Sequence, residues 1–478
     1  MTVQRQSSAW IAVTVAAAAV VSGLLAGVAP ELAIVLACGS IFLLVALSHL
    51  WVSLCGFTVL VFVDVLRFQG NQDLSMAKAA AIVLVVAWLA ALALPQSAPR
   101  DLVRNHPGIA WLLVAFACWV AASAIWADSD SGVVRALFRY APNIALFPIV
   151  YLAVSERRHL AWVLGSFVVG ALASALYGSF VTAGEASTAQ AAEGRLTGAT
   201  AEANELAMLL VVAAAFAAAL ATYLRGRSAA WLLAAFAVPL ALFAMFATLS
   251  RSGLTALMAA LVVGILVGGR WRRAVVLAAA LIAATGCLYF ATAGPSAIER
   301  VTSSDSSGRQ DLWTVGWRIA SENPVIGIGA DNFRTQSISY LVEPGVIRVD
   351  QYIVDEPLVA HNVYLELLAE LGVVGLALFL AIVGVSLACA VRAISEAEEQ
   401  GDVPLELLAR ALVVGLAAML TADFFLSEQY SKQLWLLLAL GPAALAVTRR
   451  RAVTRFEALR FETFRAPARW ARAHATRG

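Results

Sequence analysis

Residues 205–269 read ELAMLLVVAAAFAAALATYLRGRSAAWLLAAFAVPLALFAMFATLSRSGLTALMAALVVGILVGG. Apolar runs near 205–224, 229–249 and 252–269 are separated only by a short loop with two arginines and by the turn LSRSG. An apolar run of about 18 residues or more is long enough to cross the hydrocarbon core of a bilayer as a helix. This stretch therefore predicts three consecutive transmembrane helices.

The same pattern fills most of the 478-residue chain, which is 61% hydrophobic and only 13% charged. A soluble domain cannot bury so much apolar surface, whereas a membrane bundle faces it to lipid. We expect an all-α polytopic membrane protein of about 12–14 transmembrane helices with one large external loop. The predicted spans lie near 9–28, 32–48, 50–66, 78–94, 108–126, 140–154, 160–182, 205–224, 229–249, 252–269, 272–292, 370–392, 404–424 and 430–447.

Loops rich in arginine alternate with loops of other composition, and this sets the orientation. The arginine clusters are Arg100 and Arg104, Arg157 and Arg158, Arg225 and Arg227, Arg270, Arg272 and Arg273, and Arg449 to Arg451. The positive-inside rule places all of them in the cytoplasm. The long polar segment 293–361 then lies on the external face of the cytoplasmic membrane, and His361 is the only one of five histidines that faces outward.

This topology divides the chain into four regions. We expect an N-terminal transmembrane bundle of about 11 spans over 1–292, an external loop with short helices over 293–369, and C-terminal transmembrane helices over 370–448. The segment 449–478 is a basic cytoplasmic tail that lies on the anionic inner leaflet. The net charge of +2 gives no reason to expect nucleic acid, and the five cysteines fall in apolar spans without close pairing, which argues against a disulfide framework or a zinc site.

The external segment carries helix and turn signals. From Arg309 the apolar residues recur at helical spacing as far as a turn at Asn323-Pro324. The glycines of the following GIG sequence permit a sharp backbone turn. A further helix begins at His361-Asn362 and runs to Gly372, where a bend or close packing is expected.

His361 and three arginines are the candidate chemical groups. An imidazole at a helix N-terminus tends to stay neutral, which suits a general base near neutral pH. The guanidinium groups of Arg251, Arg309 and Arg195 match phosphate oxygens well. Without a metal cluster in the sequence, this combination predicts transfer from a phosphate-activated donor to a hydroxyl group, with no cofactor.

Each candidate has a structural alternative. His361 would also serve as a helix-capping histidine, Arg251 as an interfacial anchor that snorkels, and Arg309 as the first residue of a helix. Arg195 would also fit a plain linker. The pair Asp128 and Asp130 imitates a metal-binding DxD motif, but a solvated turn is the better interpretation.

Four motifs resemble the O-antigen ligase and polymerase superfamily. They are GRLTG from Gly194, LSRSG from Leu249, GRQDLW…NPVIGIGADNF from Gly308, and the frame His361-Asn362-x9-Gly372-x2-Gly375. The resemblance covers about 190–430 and is most specific over 309–375. That superfamily is similar to the C-type glycosyltransferases, which are multi-span enzymes that use lipid-linked sugars.

The resemblance implies a donor glycan on undecaprenyl diphosphate. Arg251, Arg309 and Arg195 would hold the diphosphate, and His361 would deprotonate the acceptor hydroxyl, with Asn362 and Asp423 in supporting positions. The acceptor is a glycan, a lipid or a protein hydroxyl. Two rival hypotheses remain open: a transporter or flippase that moves lipid-linked glycan without bond formation, and a structural partner in an envelope assembly.

Overall fold

The structure is a computed structural model that describes residues 44–64, 67–68, 71–93, 101–181, 194–200, 202–226, 228–293, 298–299, 309–342 and 358–451. The chain divides into two compact units, Met1–Pro99 and Arg100–Gly478. The predicted spans 9–28 and most of 32–48 lie outside the described residues, as does the tail from 452 onward.

The first unit contains two apolar helices and a small hairpin. After a short helix over 44–48, its elements are α1 (Leu50–Leu60) with a 3-10 turn (Val61–Val63), β1 (Arg67–Phe68), β2 (Asn71–Ser75) and α2 (Met76–Ala93). The strands pair antiparallel, with Arg67 opposite Ser75. Helix α1 packs against α2, as their uninterrupted apolar sequences favour.

The second unit is a bundle of helices. They are α3 (Leu102–Asn105), α4 (Pro107–Ala122), α5 (Asp130–Ala153), α6 (Arg157–Val181), α7 (Ala203–Tyr223), α8 (Ser228–Ala247), α9 (Arg251–Leu266), α10 (Arg272–Ala293), α11 (Arg309–Glu322), α12 (Phe333–Leu341), α13 (Val363–Glu399), α14 (Val403–Ala422) and α15 (432–451). Short 3-10 turns at Ser123–Ile125, Gly198–Thr200 and Gly269–Trp271 join some of them.

These helices confirm the predicted all-α membrane fold. Each predicted span from 50–66 onward coincides with a helix. Within the described residues, nine helices are long and apolar enough to cross a membrane, and the segments Leu50–Val63 and Arg251–Val267 are shorter apolar helices. The protein is therefore a multi-pass membrane protein.

Helix α7 forms the centre of the bundle and packs against α6, α8, α9 and α14. Its contact with α9 is close because Gly253 lacks a side chain: a Cβ there would lie 2.5 Å from the Cβ of Ala207. Helix α10 is exposed where α7 is buried: Leu277 and Leu281 on its surface are 71% and 69% exposed. Exposed leucines on an apolar helix are what a lipid-facing position requires.

An aromatic cluster joins α4, α5, α13 and α15. Trp435 is fully buried and its ring lies about 6 Å from those of Phe116, Tyr140, Phe147 and Phe379. Aromatic pairs at such separations add to the free energy of burial. The cluster fixes α13, whose first turn follows His361.

Candidate active site

His361 lies directly before α13 in a left-handed backbone conformation, with φ of +48°. Such a φ is uncommon for a residue with a side chain, although histidine is one of the types enriched there. The next residue, Asn362, is the helix N-cap, and its side-chain oxygen accepts hydrogen bonds of 3.1 Å from the backbone N–H groups of Tyr364 and Leu365. The predicted helix start is confirmed, and the cap is Asn362 rather than His361.

Glu366, one turn into α13, holds the backbone next to His361. Its carboxylate accepts a 3.2 Å bond from the N–H of Ala360, a bond from the hydroxyl of Ser427, and a 2.7 Å bond from Nε2 of Gln429. One buried side chain thus joins the residue before His361 to the loop 426–430.

Asp423 follows α14 and supports the same turn through its backbone. Its carbonyl oxygen accepts a 2.9 Å bond from the N–H of Val363. The Asp423 side chain is fully buried, and neither carboxylate oxygen has a hydrogen-bond partner among the described residues.

The segment 323–329 packs backbone to backbone against a break in α13 at Gly372. Gly372 has φ of +66°, and a Cβ on it would lie 2.1 Å from the carbonyl oxygen of Val325. Gly327, with φ of +68°, would similarly meet the backbone of Glu370. The bonds across the contact are Val373 N–H to Pro324 (2.9 Å), Ile328 N–H to Ala369 (3.0 Å) and Gly329 N–H to Glu370 (2.8 Å). Close packing at Gly372 is as predicted, and the positive φ values of Gly327 (+68°) and Gly329 (+98°) agree with the sharp turn predicted there. Gly327 also permits a close backbone approach to Glu370.

The residues that follow connect this segment to the start of α5. The backbone N–H of Ser129 donates to the side-chain oxygen of Asn332 at 2.9 Å. Asp331 is buried and forms ion pairs with Arg135 (2.8 Å) and Arg139 (3.6 Å). The GADNF motif is thus a docking element.

Asp128 and Asp130 have structural roles in the same contact. Asp128 accepts a 2.7 Å bond from Nε2 of Gln336, and Asp130 begins α5 behind its N-cap Ser129. In the described part of the chain, no group of three histidine, cysteine or acidic side chains could hold a metal ion.

A polar pocket of about 170 Å³ opens beside His361. It is lined by Arg139, Glu202, Asp331, Arg334, Val359, His361, Glu366, Leu426, Ser427, Glu428, Gln429 and Tyr430. The guanidinium carbon of Arg139 lies 3.8 Å from the centre of the Tyr430 ring, which is a cation–π contact. The pocket is large enough for a few polar groups of a ligand and carries charges of both signs.

Two arginines from separate motifs contribute to the electrostatics of this pocket. Burial lowers the pKa of His361, the nearby charge of Arg309 lowers it further, and Glu202 opposes both effects. Burial also lowers the pKa of Arg309, and the positive charge of Arg251 adds to that lowering. The neutral imidazole expected from the helix position is thus favoured mainly by burial. The charge of Arg309 therefore acts on His361 and that of Arg251 acts on Arg309, although neither arginine lines the pocket.

Arg251 is placed by the turn that precedes α9. Leu249 has φ of +49°, and the hydroxyl of Ser250 caps the helix by accepting from the N–H of Gly253 at 3.1 Å. The same hydroxyl donates to the side-chain oxygen of Asn204 at 2.7 Å. The LSRSG motif is therefore a capped turn that fixes the first residue of α9.

Arg195 lies behind that turn and is buried. Its Nε donates to the carbonyl oxygen of Thr248 at 3.0 Å, and one terminal nitrogen donates to the side-chain oxygen of Asn204 at 3.1 Å. These contacts join the GRLTG segment to the LSRSG turn. Arg195 does not line the pocket. Its connection to the pocket is the hydrogen bond to Asn204.

Sequence reasoning missed several residues of the pocket. Glu202, Arg139, Glu366 and Glu428 line it but were not predicted. Two of them had a usable signal: Arg139 follows Arg135 by four residues at the head of an apolar span, and Glu366 lies on the helix face just after His361. Glu428 had none, because only the fold brings its loop to His361.

The sequence model of the family described as O-antigen ligase matches residues 236–380. The matched segment contains Arg251, Arg309, His361 and the contact at Gly372, whereas Arg195 and Asp423 lie outside it. No curated protein matches the chain significantly. The resemblance to the O-antigen ligase superfamily is confirmed over this segment, and it supports glycan transfer of the ligase or polymerase type as the general class of activity.

Proposed function

We propose that this protein transfers a glycan from undecaprenyl diphosphate to an acceptor hydroxyl at the outer face of the cytoplasmic membrane, with inversion at the anomeric carbon. The observation that carries the proposal is that His361 lines a polar pocket and lies within reach of the charge of Arg309, which in turn lies within reach of the charge of Arg251. These three residues come from three motifs that are far apart in sequence.

In the proposed reaction, His361 takes the proton of the acceptor hydroxyl as its oxygen bonds to the anomeric carbon. The bond between that carbon and the phosphate oxygen breaks, and its electron pair leaves with undecaprenyl diphosphate. Negative charge develops on the leaving group, where the guanidinium groups of Arg251 and Arg309 stabilise it. Arg195 adds positive charge from behind the LSRSG turn and holds that turn in place.

Two supporting residues keep the base in position. Asn362 caps α13 directly after His361, and Asp423 binds the first N–H of that helix through its backbone. Membrane lipid surrounds the bundle, and the donor enters from it by its polyprenyl chain.

The test is transfer in proteoliposomes that contain the purified protein, undecaprenyl-diphosphate-linked glycan and envelope glycan of the same cells as acceptor. Mass spectrometry measures the product and the released undecaprenyl diphosphate. His361→Asn is the variant, because asparagine also tolerates a positive φ. We expect transfer about 10²–10⁴-fold slower, as for loss of a general base.

His106→Asn is the matched control and should transfer at the normal rate, because His106 lies next to Tyr151 rather than in the pocket. Near-normal transfer by His361→Asn would show that His361 is not the general base. Movement of lipid-linked glycan across the bilayer without a new bond would favour the flippase hypothesis. In cells that lack the protein, single repeat units on the carrier would indicate a polymerase, and intact polymer on the carrier a ligase.

A further inference from the structure

Glu202 lies just before α7 and lines the same pocket as His361. It acts on both basic groups there, because its negative charge raises the pKa of His361 and that of Arg309. The resemblance and the motifs of the sequence assign it no role.

The carboxylate of Glu202 is held in place by a chain of hydrogen bonds. Nδ2 of Asn204 donates to it at 2.9 Å. The oxygen of the same Asn204 amide accepts from the hydroxyl of Ser250 at 2.7 Å and from Arg195 at 3.1 Å. The GRLTG and LSRSG motifs therefore meet at one amide, and that amide orients Glu202.

Proton transfer to His361 places a further positive charge near Arg309, and the negative charge of Glu202 can offset it. An imidazolium next to Arg309 adds a positive charge to a site where Arg251 and Arg309 already repel. A negative charge within a few ångströms favours the charged form of a base. In catalytic triads a carboxylate performs this function for histidine.

We infer that Glu202 is a positioning residue for His361: its carboxylate, held by Asn204 in the same pocket, stabilises the imidazolium that forms when the acceptor gives up its proton. The inference rests on the proposed function, since it needs His361 as the base. The acceptor proton moves to His361 and from there to solvent.

The test is the dependence of the transfer rate on pH in the proteoliposome assay. The rate should rise with pH as His361 loses its proton. In Glu202→Gln the midpoint of that rise should move down by about one pH unit, because the charge that raised the pKa of His361 is gone. The maximum rate should fall about tenfold, because the imidazolium loses its counter-charge.

Other charged groups face His361 and need to be separated from this effect. They are Arg309, Arg139, Arg334, Glu366, Asp331 and Glu428. Burial, with the nearby charges of Glu202 and Glu366, raises the pKa of Glu428 to about 7, so it titrates in the same range. All profiles are therefore also measured in a Glu428→Gln background, where the shift caused by Glu202→Gln should persist.

Glu202→Asp keeps the charge and should restore the normal midpoint at a reduced rate. Glu322→Gln is the matched control, since it removes a carboxylate that accepts a 2.7 Å bond from the Tyr340 hydroxyl and does not line the pocket; its midpoint should not move. Glu202→Ser gives a second neutral variant if Glu202→Gln fails to accumulate in membranes.

An unchanged midpoint in a neutral variant of Glu202 would overturn the inference, as would an equal shift in Glu202→Asp. The proposed function would survive either result if His361→Asn is inactive. It would fail instead, independently of Glu202, if His361→Asn transfers glycan normally.

Discussion

Two charged clusters of the second unit show different arrangements. Around Arg410, opposite charges are in contact: Arg410 pairs with Glu406 at 2.6 Å and with Glu398 at 3.1 Å, and Arg270 pairs with Glu406 at 3.0 Å. Around His361, charges of both signs are close together: Glu202 raises the pKa of Arg309, and Arg251 lowers it.

The difference lies in like charge. Each charge of the cluster at Arg410 is in contact with an opposite charge, so this cluster needs no ligand and holds helices together. The cluster at His361 keeps Arg251 close to Arg309 in addition to the opposite charge of Glu202, and this like-charge proximity costs free energy that an anionic ligand would offset. Burial exists in both clusters, so the presence of neighbouring like charge is what distinguishes them.

The largest effect on stability is expected from Arg410→Ala. Glu406 is fully buried, and removing Arg410 takes away its closest counter-charge. Breaking a buried ion pair in this way costs about 3–5 kcal/mol. Thermal unfolding of the purified protein in detergent should show a clear loss of stability. Arg392→Ala, on the exposed surface of α13, should show little change.

Arg309→Ala should affect catalysis rather than stability. Loss of a charge that stabilises the transition state costs about 10²–10³-fold in rate. The unfolding temperature should change little, because removing Arg309 ends both its attraction to Glu202 and its repulsion from Arg251. The transfer assay and detergent unfolding measure the two effects. A large fall in stability without a specific loss of transfer would show that Arg309 stabilises the fold rather than the transition state.

Gly372→Ala should disturb the site by breaking the backbone contact that supports it. The added Cβ would lie 2.1 Å from the carbonyl oxygen of Val325, at a residue with φ of +66°. Overpacking of this kind costs about 1–3 kcal/mol. Detergent unfolding should report the loss, and transfer should fall with it. Gly384→Ala is the control, because its Cβ would meet no atom within 4 Å. A stable and fully active Gly372→Ala would show that the contact with 323–329 does not support the site.

The smallest effect is a dependence of donor affinity on pH. The pKa of Glu428 is raised to about 7, so this side chain is neutral below that pH and negative above it. Negative charge in the pocket opposes binding of a diphosphate, so the KM for the donor should rise a few-fold between about pH 6 and pH 8. The rise should be absent in Glu428→Gln. An identical rise in that variant would show that another group is responsible.

Features that depend on local sequence were predictable, whereas those that depend on contacts between distant residues were not. The helix after Arg309 and its end before Asn323 followed from local signals, namely helical spacing and an Asn-Pro turn. Glu202 and Glu428 could not be predicted, because the pocket that each one lines is formed by residues far away in sequence. The role of Arg195 was also beyond sequence, since a guanidinium that binds Thr248 and Asn204 looks the same in sequence as one that binds phosphate.

The membrane fold could be predicted from the chain alone, because long apolar runs have no stable alternative to spanning helices in lipid. The local geometry at the glycines and caps was also predictable, since it depends on backbone conformation within a few residues. Which charges lie close together depends instead on the tertiary structure. Coulomb interactions depend on distance in space and on burial, and both are set by helix packing rather than by position along the chain. That packing brings Glu202 to His361 and Arg270 to Glu406.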